Sequence, residues 1–179
     1  AVIIGAGGVG LNAIQGARIA GASHVVAVDM VPEKLDIAME FGATAAVLGT
    51  GERPWSQAKK IMGGGADHVF VATGAIAAFD TAARYLGFHG RMTIVGMPHS
   101  GQTTRYEPVV VAATGQQILG SKMGDGVPRR DIPWMIDLYR QGRLKLDELV
   151  SGRYPLDAIN EAIADTRTGS AKRNVIVFD

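Results

Sequence analysis

The sequence predicts an α/β fold, an open doubly wound parallel sheet of six strands in the order 3-2-1-4-5-6 with helices on its faces. Three observations carry that expectation. Short, β-rich apolar runs alternate with helical patterns along the 179 residues. The glycines Gly5, Gly7 and Gly10 form G-x-G-x-x-G at the junction of the first apolar run and the first helical pattern. An acidic residue, Asp29, closes the second run roughly twenty residues later, the spacing of a βαβ nucleotide-binding unit.

The strands are expected at Ala1–Ile4, His24–Asp29, Ala45–Leu48, His68–Ala72, Met92–Val95 and Gln117–Leu119. Most are short continuous apolar runs, as strands buried on both faces of a parallel sheet must be. Between the first two, Val9, Ala13, Ile14, Ala17 and Ala20 fall on one helical face, and Gly21 suits a C-terminal stop. A second helix begins at Pro32, which a first turn tolerates, has Glu33 at the favourable end of the helix dipole, carries Leu35, Ala38 and Phe41 inward, and ends at Gly42. Trp55–Met62 reads as a third helix closed by Gly63, Gly64 and Gly65, and Ala75–Leu86 as a fourth closed by Gly87.

Strict alternation weakens afterwards. Pro108–Ala113 reads as a short helix before Gln117, Ile132–Gln141 as a helix with Pro133 in its first turn, and Asp157 as the cap of a helix running to about Asp165. The final apolar run, Val175–Phe178, has the residue types of a strand, but it follows a long connection and need not join the same sheet. The first residues already read as a buried strand with no methionine or lead-in, so the chain is expected to be part of a longer polypeptide.

Composition narrows the function classes. A hydrophobic share of 47% and a charged share of 20% suit a globular domain with a sizeable core. The net charge of +1, with lysines and arginines scattered, gives no field for a nucleic acid. No apolar run approaches the roughly 20 residues of a membrane span. The absence of cysteine removes disulfides and thiolate zinc sites, and the cytoplasm is the expected compartment. His24, His68, His89 and His99 are too far apart for a short metal-ligand motif, and no G-x-S-x-G elbow occurs. The Gly115-x4-Gly120-Ser121-Lys122 stretch has Ser and Lys reversed for a triphosphate loop. Arg129, Arg130 and Asp131 read as a charged surface loop before the helix at Ile132.

The glycine turn carries the chemistry. Gly5 permits the tight turn, Gly7 lets backbone approach a pyrophosphate, and Gly10 lets helix and strand pack closely. The amides of Gly8 and Val9 then point from the helix N-terminus at the anion. Asp29 can accept both hydroxyls of an adenosine ribose, and a 2′-phosphate there would meet like charge with no compensation from Met30. That pair favours NAD over NADP. Asp29 could equally serve as a helix N-cap. Lys34, one helical turn on, is within reach of the same ribose.

The segments GAGGVG, VDMVPEKLDIAMEFGAT, VATGAIAAFDTAARYLGFHGRMTIVGMP, GQQILGSKMGDGVPRRDIP, PLDAINEAI and SAKRNVIVF together resemble the coenzyme domain of zinc-dependent medium-chain alcohol dehydrogenases, a Rossmann fold. The resemblance covers nearly the whole chain. It implies that residues 1–179 form one NAD-binding domain whose C-terminal segment returns to a catalytic domain not present here. It places Ala72 and Thr73 beside the adenosine, Val95, Gly96 and Met97 along the nicotinamide pocket, and the backbone of Ser121 and Met123 on the carboxamide. Arg173 matches a basic residue that pairs with the pyrophosphate. Segment Gln116–Met123 matches an edge strand that pairs two subunits, implying a homodimer or homotetramer. The substrate implied for the intact enzyme is a small alcohol or aldehyde, with zinc held only by the absent domain. Rival readings are the coenzyme portion of a zinc-free quinone or enoyl reductase and a non-catalytic dinucleotide-sensing module.

Overall fold

The computed structural model of the chain describes residues 1–169 and 171–178. It divides into two compact units, Ala1–Gly126 and Val127–Asp179.

The first unit alternates strand and helix throughout. The elements are β1 (Val2–Ile4), α1 (Gly8–Ile19), β2 (Val26–Asp29), α2 (Pro32–Glu40), β3 (Ala45–Leu48), α3 (Pro54–Met62), β4 (Ala66–Val71), α4 (Ile76–Ala82), β5 (Leu86–Ile94), α5 (Pro108–Thr114) and β6 (Gln117–Gly120). All strand pairs are parallel, and the sheet order is β3-β2-β1-β4-β5-β6, as the sequence predicts. Successive pairing registers Ile4 with Val28 on one side and with Val71 on the other, so the ends of β1, β2 and β4 lie level.

The core sits on these central strands. Val2, Ile3, Val26, Ala27, Val69 and Val71 are wholly buried, because crossover helices cover both sheet faces and leave no polar side. On α1 the inward face is Gly10, Leu11 and Ile14, and Val9 is turned out with 54% of its surface exposed. The expected face through Val9 is therefore rotated by about one residue. Gly10 causes it: a Cβ there would overlap the carbonyl oxygen of Gly5, so the helix is seated with Gly10 against the strand end. Leu11 and Ile14 share that side, and Val9 lies roughly 100° away.

Two further boundaries differ from expectation. The fourth helix stops at Ala82, passes through a 3-10 turn at Ala83–Tyr85, and β5 already starts at Leu86. Gly87 is thus a strand residue rather than a helix stop. Its role is close approach, since a Cβ on Gly65 would overlap the Gly87 backbone at the entry to β4 and β5.

The second unit holds α6 (Pro128–Arg140), β7 (Val150–Pro155), α7 (Ile159–Thr168) and β8 (Arg173–Val177). Here β7 and β8 form a separate two-stranded parallel sheet, so the last strand indeed stands outside the main one. Helix α6 begins four residues before the expected Ile132, with Pro128 in its first turn and Pro133 inside it. Arg129, Arg130 and Asp131 are consequently helical, not a loop. The Asp131 carboxylate pairs with Arg130 at 2.6 Å and accepts the Val127 amide at 2.6 Å, contacts that stabilise the ionised form and hold its pKa below the ordinary carboxylate value. Asp157 lies in a 3-10 turn, Leu156–Ala158, and makes no side-chain cap for α7, whose N-cap is Ala158.

Candidate functional site

The order of the sheet places a switch point between β1 and β4, where one crossover runs to β2 and the other to β5. In open α/β sheets ligands bind in the crevice outside the strand ends at that point. Gly5–Gly10 leaves β1 there, and Ala72 and Thr73 leave β4.

The turn is built from specific contacts. Gly5 has φ +96°, a left-handed conformation that L side chains rarely adopt, and a Cβ on it would sit 3.1 Å from Thr73 Cβ and 3.2 Å from the Ala72 carbonyl. Its amide donates to the Val28 carbonyl at 2.8 Å. Gly7 is the N-cap of α1, in extended backbone at φ −78°, and nothing lies within 4 Å of where its Cβ would be. A gap is left over the first helical turn. The amides of Gly8 and Val9, opening α1, have no intrahelical acceptor by their position and carry the positive end of the helix dipole. This is a cradle for an anion that a Cβ at position 7 would fill.

Asp29 ends β2, half-buried beside this turn. Its Oδ2 accepts the Ala6 amide at 2.7 Å and its Oδ1 accepts the Val31 amide at 3.0 Å. It is not the N-cap of α2. That position is Val31, whose amide the carboxylate supports from two residues upstream. Lys34 lies in the first turn of α2, its backbone amide donating to the Val31 carbonyl at 3.2 Å, and Met30 is exposed.

On the other side of the switch point the expected residues also meet. Val95 and Gly96 both donate their amides to the Val71 carbonyl, at 3.0 and 2.8 Å. A Cβ on Gly96 would overlap the Thr73 backbone, so these two segments are in direct contact. Ser121 donates its amide to Ile94 at 3.0 Å, which seats it at the end of β5. Met97 and Met123 are 90% and 93% exposed, and Met123 has φ +52°. Gly5, Asp29, Ala72, Thr73, Val95, Gly96 and Ser121 therefore follow one another along the strand ends of the first unit. Arg173 is exposed at the first position of β8 in the second unit.

Three positions escaped the sequence reading. Ala6, between two motif glycines, supplies the amide that Asp29 binds. Gly49 donates to the Asp29 carbonyl at 2.8 Å, and a Cβ on it would approach that oxygen to 3.3 Å. Gly74 would bring a Cβ to 2.8 Å from the Met97 carbonyl. A glycine one or two residues past a strand end was the available signal for the last two. Among the described residues no cluster of three or more His, Cys, Asp or Glu could hold a metal ion, and no helix is long and apolar enough to cross a membrane.

Residues 8–141 match the family model described as zinc-binding dehydrogenase. An NDMA-dependent alcohol dehydrogenase of Amycolatopsis methanolica is 35% identical over 98% of this chain and 48% of its own length. The crystal structure of benzyl alcohol dehydrogenase from Acinetobacter calcoaceticus superposes with a TM-score of 0.95 at 34% identity, covering 99% of this chain and 49% of that one. A putative zinc-binding dehydrogenase from Sinorhizobium meliloti, in a structure bound to NADP, superposes at 0.86 with 26% identity, covering 99% of this chain and 52% of that one. The chain spans about half the length of the curated relatives it matches.

Proposed function

The chain belongs to the zinc-binding dehydrogenase family as a coenzyme-binding domain of the medium-chain alcohol dehydrogenases, and from there we propose that it binds NAD on the Gly5–Gly10 turn and presents the nicotinamide for hydride transfer between an alcohol and its aldehyde or ketone. The carboxylate of Asp29 at the end of β2, beside the open anion cradle, is the observation that carries the choice of cofactor.

The Gly8 and Val9 amides donate to the pyrophosphate, and Gly7 leaves the space it needs. Asp29 accepts from the ribose hydroxyls and repels a 2′-phosphate, with Lys34 as a second ribose contact. Ala72 and Thr73 flank the adenosine. Val95, Gly96 and Met97 line the nicotinamide side, and the Ser121 carbonyl and Met123 amide orient the carboxamide. When bound, NAD supplies the ring carbon that accepts or gives the hydride. What these residues contribute is orientation, holding one ring face toward the substrate. A catalytic zinc, implied by the family, would be held by residues outside this chain. Pairing of two copies along β6, into a dimer or tetramer in the cytoplasm, belongs to the same proposal, since all four residues of that edge strand are exposed.

The test is a fluorescence titration of the chain with NADH and NADPH, together with an assay of alcohol oxidation. The expected result is a preference for NADH of about tenfold or more, and no turnover by this chain alone. A preference for NADPH, or measurable turnover, overturns the proposal.

A further inference from the structure

We propose that Asp29 is a positioning residue for the phosphate turn in the cofactor-free chain, as well as a ribose acceptor: its carboxylate sets the shape of Gly5–Gly10 before any ligand arrives. The inference deepens the NAD reading and rests on it only for the ligand arm of its test.

Two consecutive amides tie the turn to the end of β2. Gly5 donates to the Val28 carbonyl at 2.8 Å and Ala6 donates to Asp29 Oδ2 at 2.7 Å. Ala6 is 3% exposed and precedes the N-cap, so its amide has neither water nor a helical carbonyl to turn to. It stands between two glycines, the residues with the widest backbone freedom, and is a point where a side chain from another strand of the sheet grips the motif. The second carboxylate oxygen accepts the Val31 amide at 3.0 Å, which joins the grip to the start of α2.

An ionised carboxylate offers about four acceptor positions. Two are taken by backbone amides here, and the remainder suffice for two ribose hydroxyls. Ribose binding therefore adds to the clamp instead of replacing it. The consequence concerns specificity: removing the charge at position 29 to admit a 2′-phosphate also releases the loop that binds the pyrophosphate, so both dinucleotides lose affinity.

The test has two arms. Amide hydrogen exchange of the cofactor-free chain is compared with Asp29→Asn, which is nearly isosteric but cannot accept from both amides with its one oxygen. Exchange at Ala6, the turn amide that the carboxylate holds, should speed up by about tenfold or more. Asp29→Glu, which keeps the charge on a longer arm, should restore part of the protection. Lys34→Ala should weaken NADH while leaving exchange in the turn unchanged. In the second arm, Asp29→Asn should weaken both NADH and NADPH, the former by about tenfold. Unchanged exchange in Asp29→Asn, equal acceleration in Lys34→Ala, or NADPH binding that rises to the wild-type NADH level would each overturn the inference. A chain that binds neither dinucleotide yet shows the exchange pattern would remove the NAD reading and leave the clamp standing.

Discussion

The two sides of the six-stranded sheet are finished differently. The apolar residues of β1 and β2 are buried, α1 and α2 each turn apolar side chains inward, and the loop between β1 and α1 is held by two amide hydrogen bonds to the end of β2. Toward β6 the structure opens. All four residues of β6 are exposed, α5 buries no side chain, and a cavity of about 780 Å³ opens between α4, α5 and β6. Gln116, beside that cavity, keeps a buried side-chain oxygen with no hydrogen-bond partner among the described residues. Apart from Arg173, which lies in the second unit, the residues expected to meet the adenosine and pyrophosphate thus sit on a buried, hydrogen-bonded frame. Of those expected at the nicotinamide end, Met97 and Met123 stand almost fully in solvent, while Val95, Gly96 and Ser121 are half-buried. Preorganisation is where affinity gains most, since little entropy is lost in ordering a site already in place.

The comparison can be broken most directly with two glycines. A Cβ at Gly10 would overlap the Gly5 carbonyl oxygen, and a Cβ at Gly96 would overlap the Thr73 backbone. On paper the two overlaps are alike. In the closed half the turn has no room to yield, so Gly10→Ala should cost about 3 kcal/mol and abolish dinucleotide binding, whereas Gly96→Ala, whose segment can shift toward the open side, should cost about 1 to 2 kcal/mol. Urea unfolding of the two variants checks this. Equal costs would mean that the open half is as rigid as the closed one.

A smaller effect separates binding from folding. Gly7→Ala puts a methyl where nothing lies within 4 Å and φ is already −78°, so unfolding stability should stay within about 0.5 kcal/mol of the parent. The same methyl faces the pyrophosphate, and NADH affinity should fall by about tenfold or more. Met97→Ala should leave stability equally untouched, because a side chain 90% exposed buries little area in the fold, and should cost only about two- to threefold in NADH affinity, the loss of a single unordered apolar contact. If Met97→Ala weakened NADH more than Gly7→Ala, the affinity would reside at the nicotinamide end.

The same contrast explains what could be read from sequence. The strand order and the glycine turn after β1 were legible because each depends on local chemistry: continuous apolar runs for strands buried on both faces, and glycines with individual steric tasks. The place of Asp29 at the end of β2 was legible from its spacing, but its bond to Ala6 joins residues 23 positions apart and leaves no pattern in either segment. Gly87 misled because a glycine after a helical run has two uses, stopping the helix or admitting a neighbouring strand, and only the Gly65 backbone opposite decides between them. Strand β7 was missed because VSGRYP has one glycine, one proline and few apolar residues, and it forms only by pairing with β8. The early start of α6 hinged on Asp131 reaching back to the Val127 amide, a side-chain choice that a charged tripeptide does not announce.

A pH titration tests how tightly the entry to β5 is closed. Tyr85, in the 3-10 turn before it, is 2% exposed, and burial pushes its phenol up from 10.0 to about 12. A phenol in the unfolded chain loses its proton near pH 10, while the folded one keeps it until about pH 12. Between those values the unfolded state binds fewer protons than the native state, so stability must fall as pH rises through that window; below pH 10 the contribution is constant. Tyr85→Phe should therefore unfold within about 1 kcal/mol of the parent at pH 7. From pH 10 to 12 it should lose less stability than the parent, as read from thermal midpoints across the window. If parent and variant decline together, Tyr85 ionises as freely folded as unfolded, and the start of β5 is as open to water as β6.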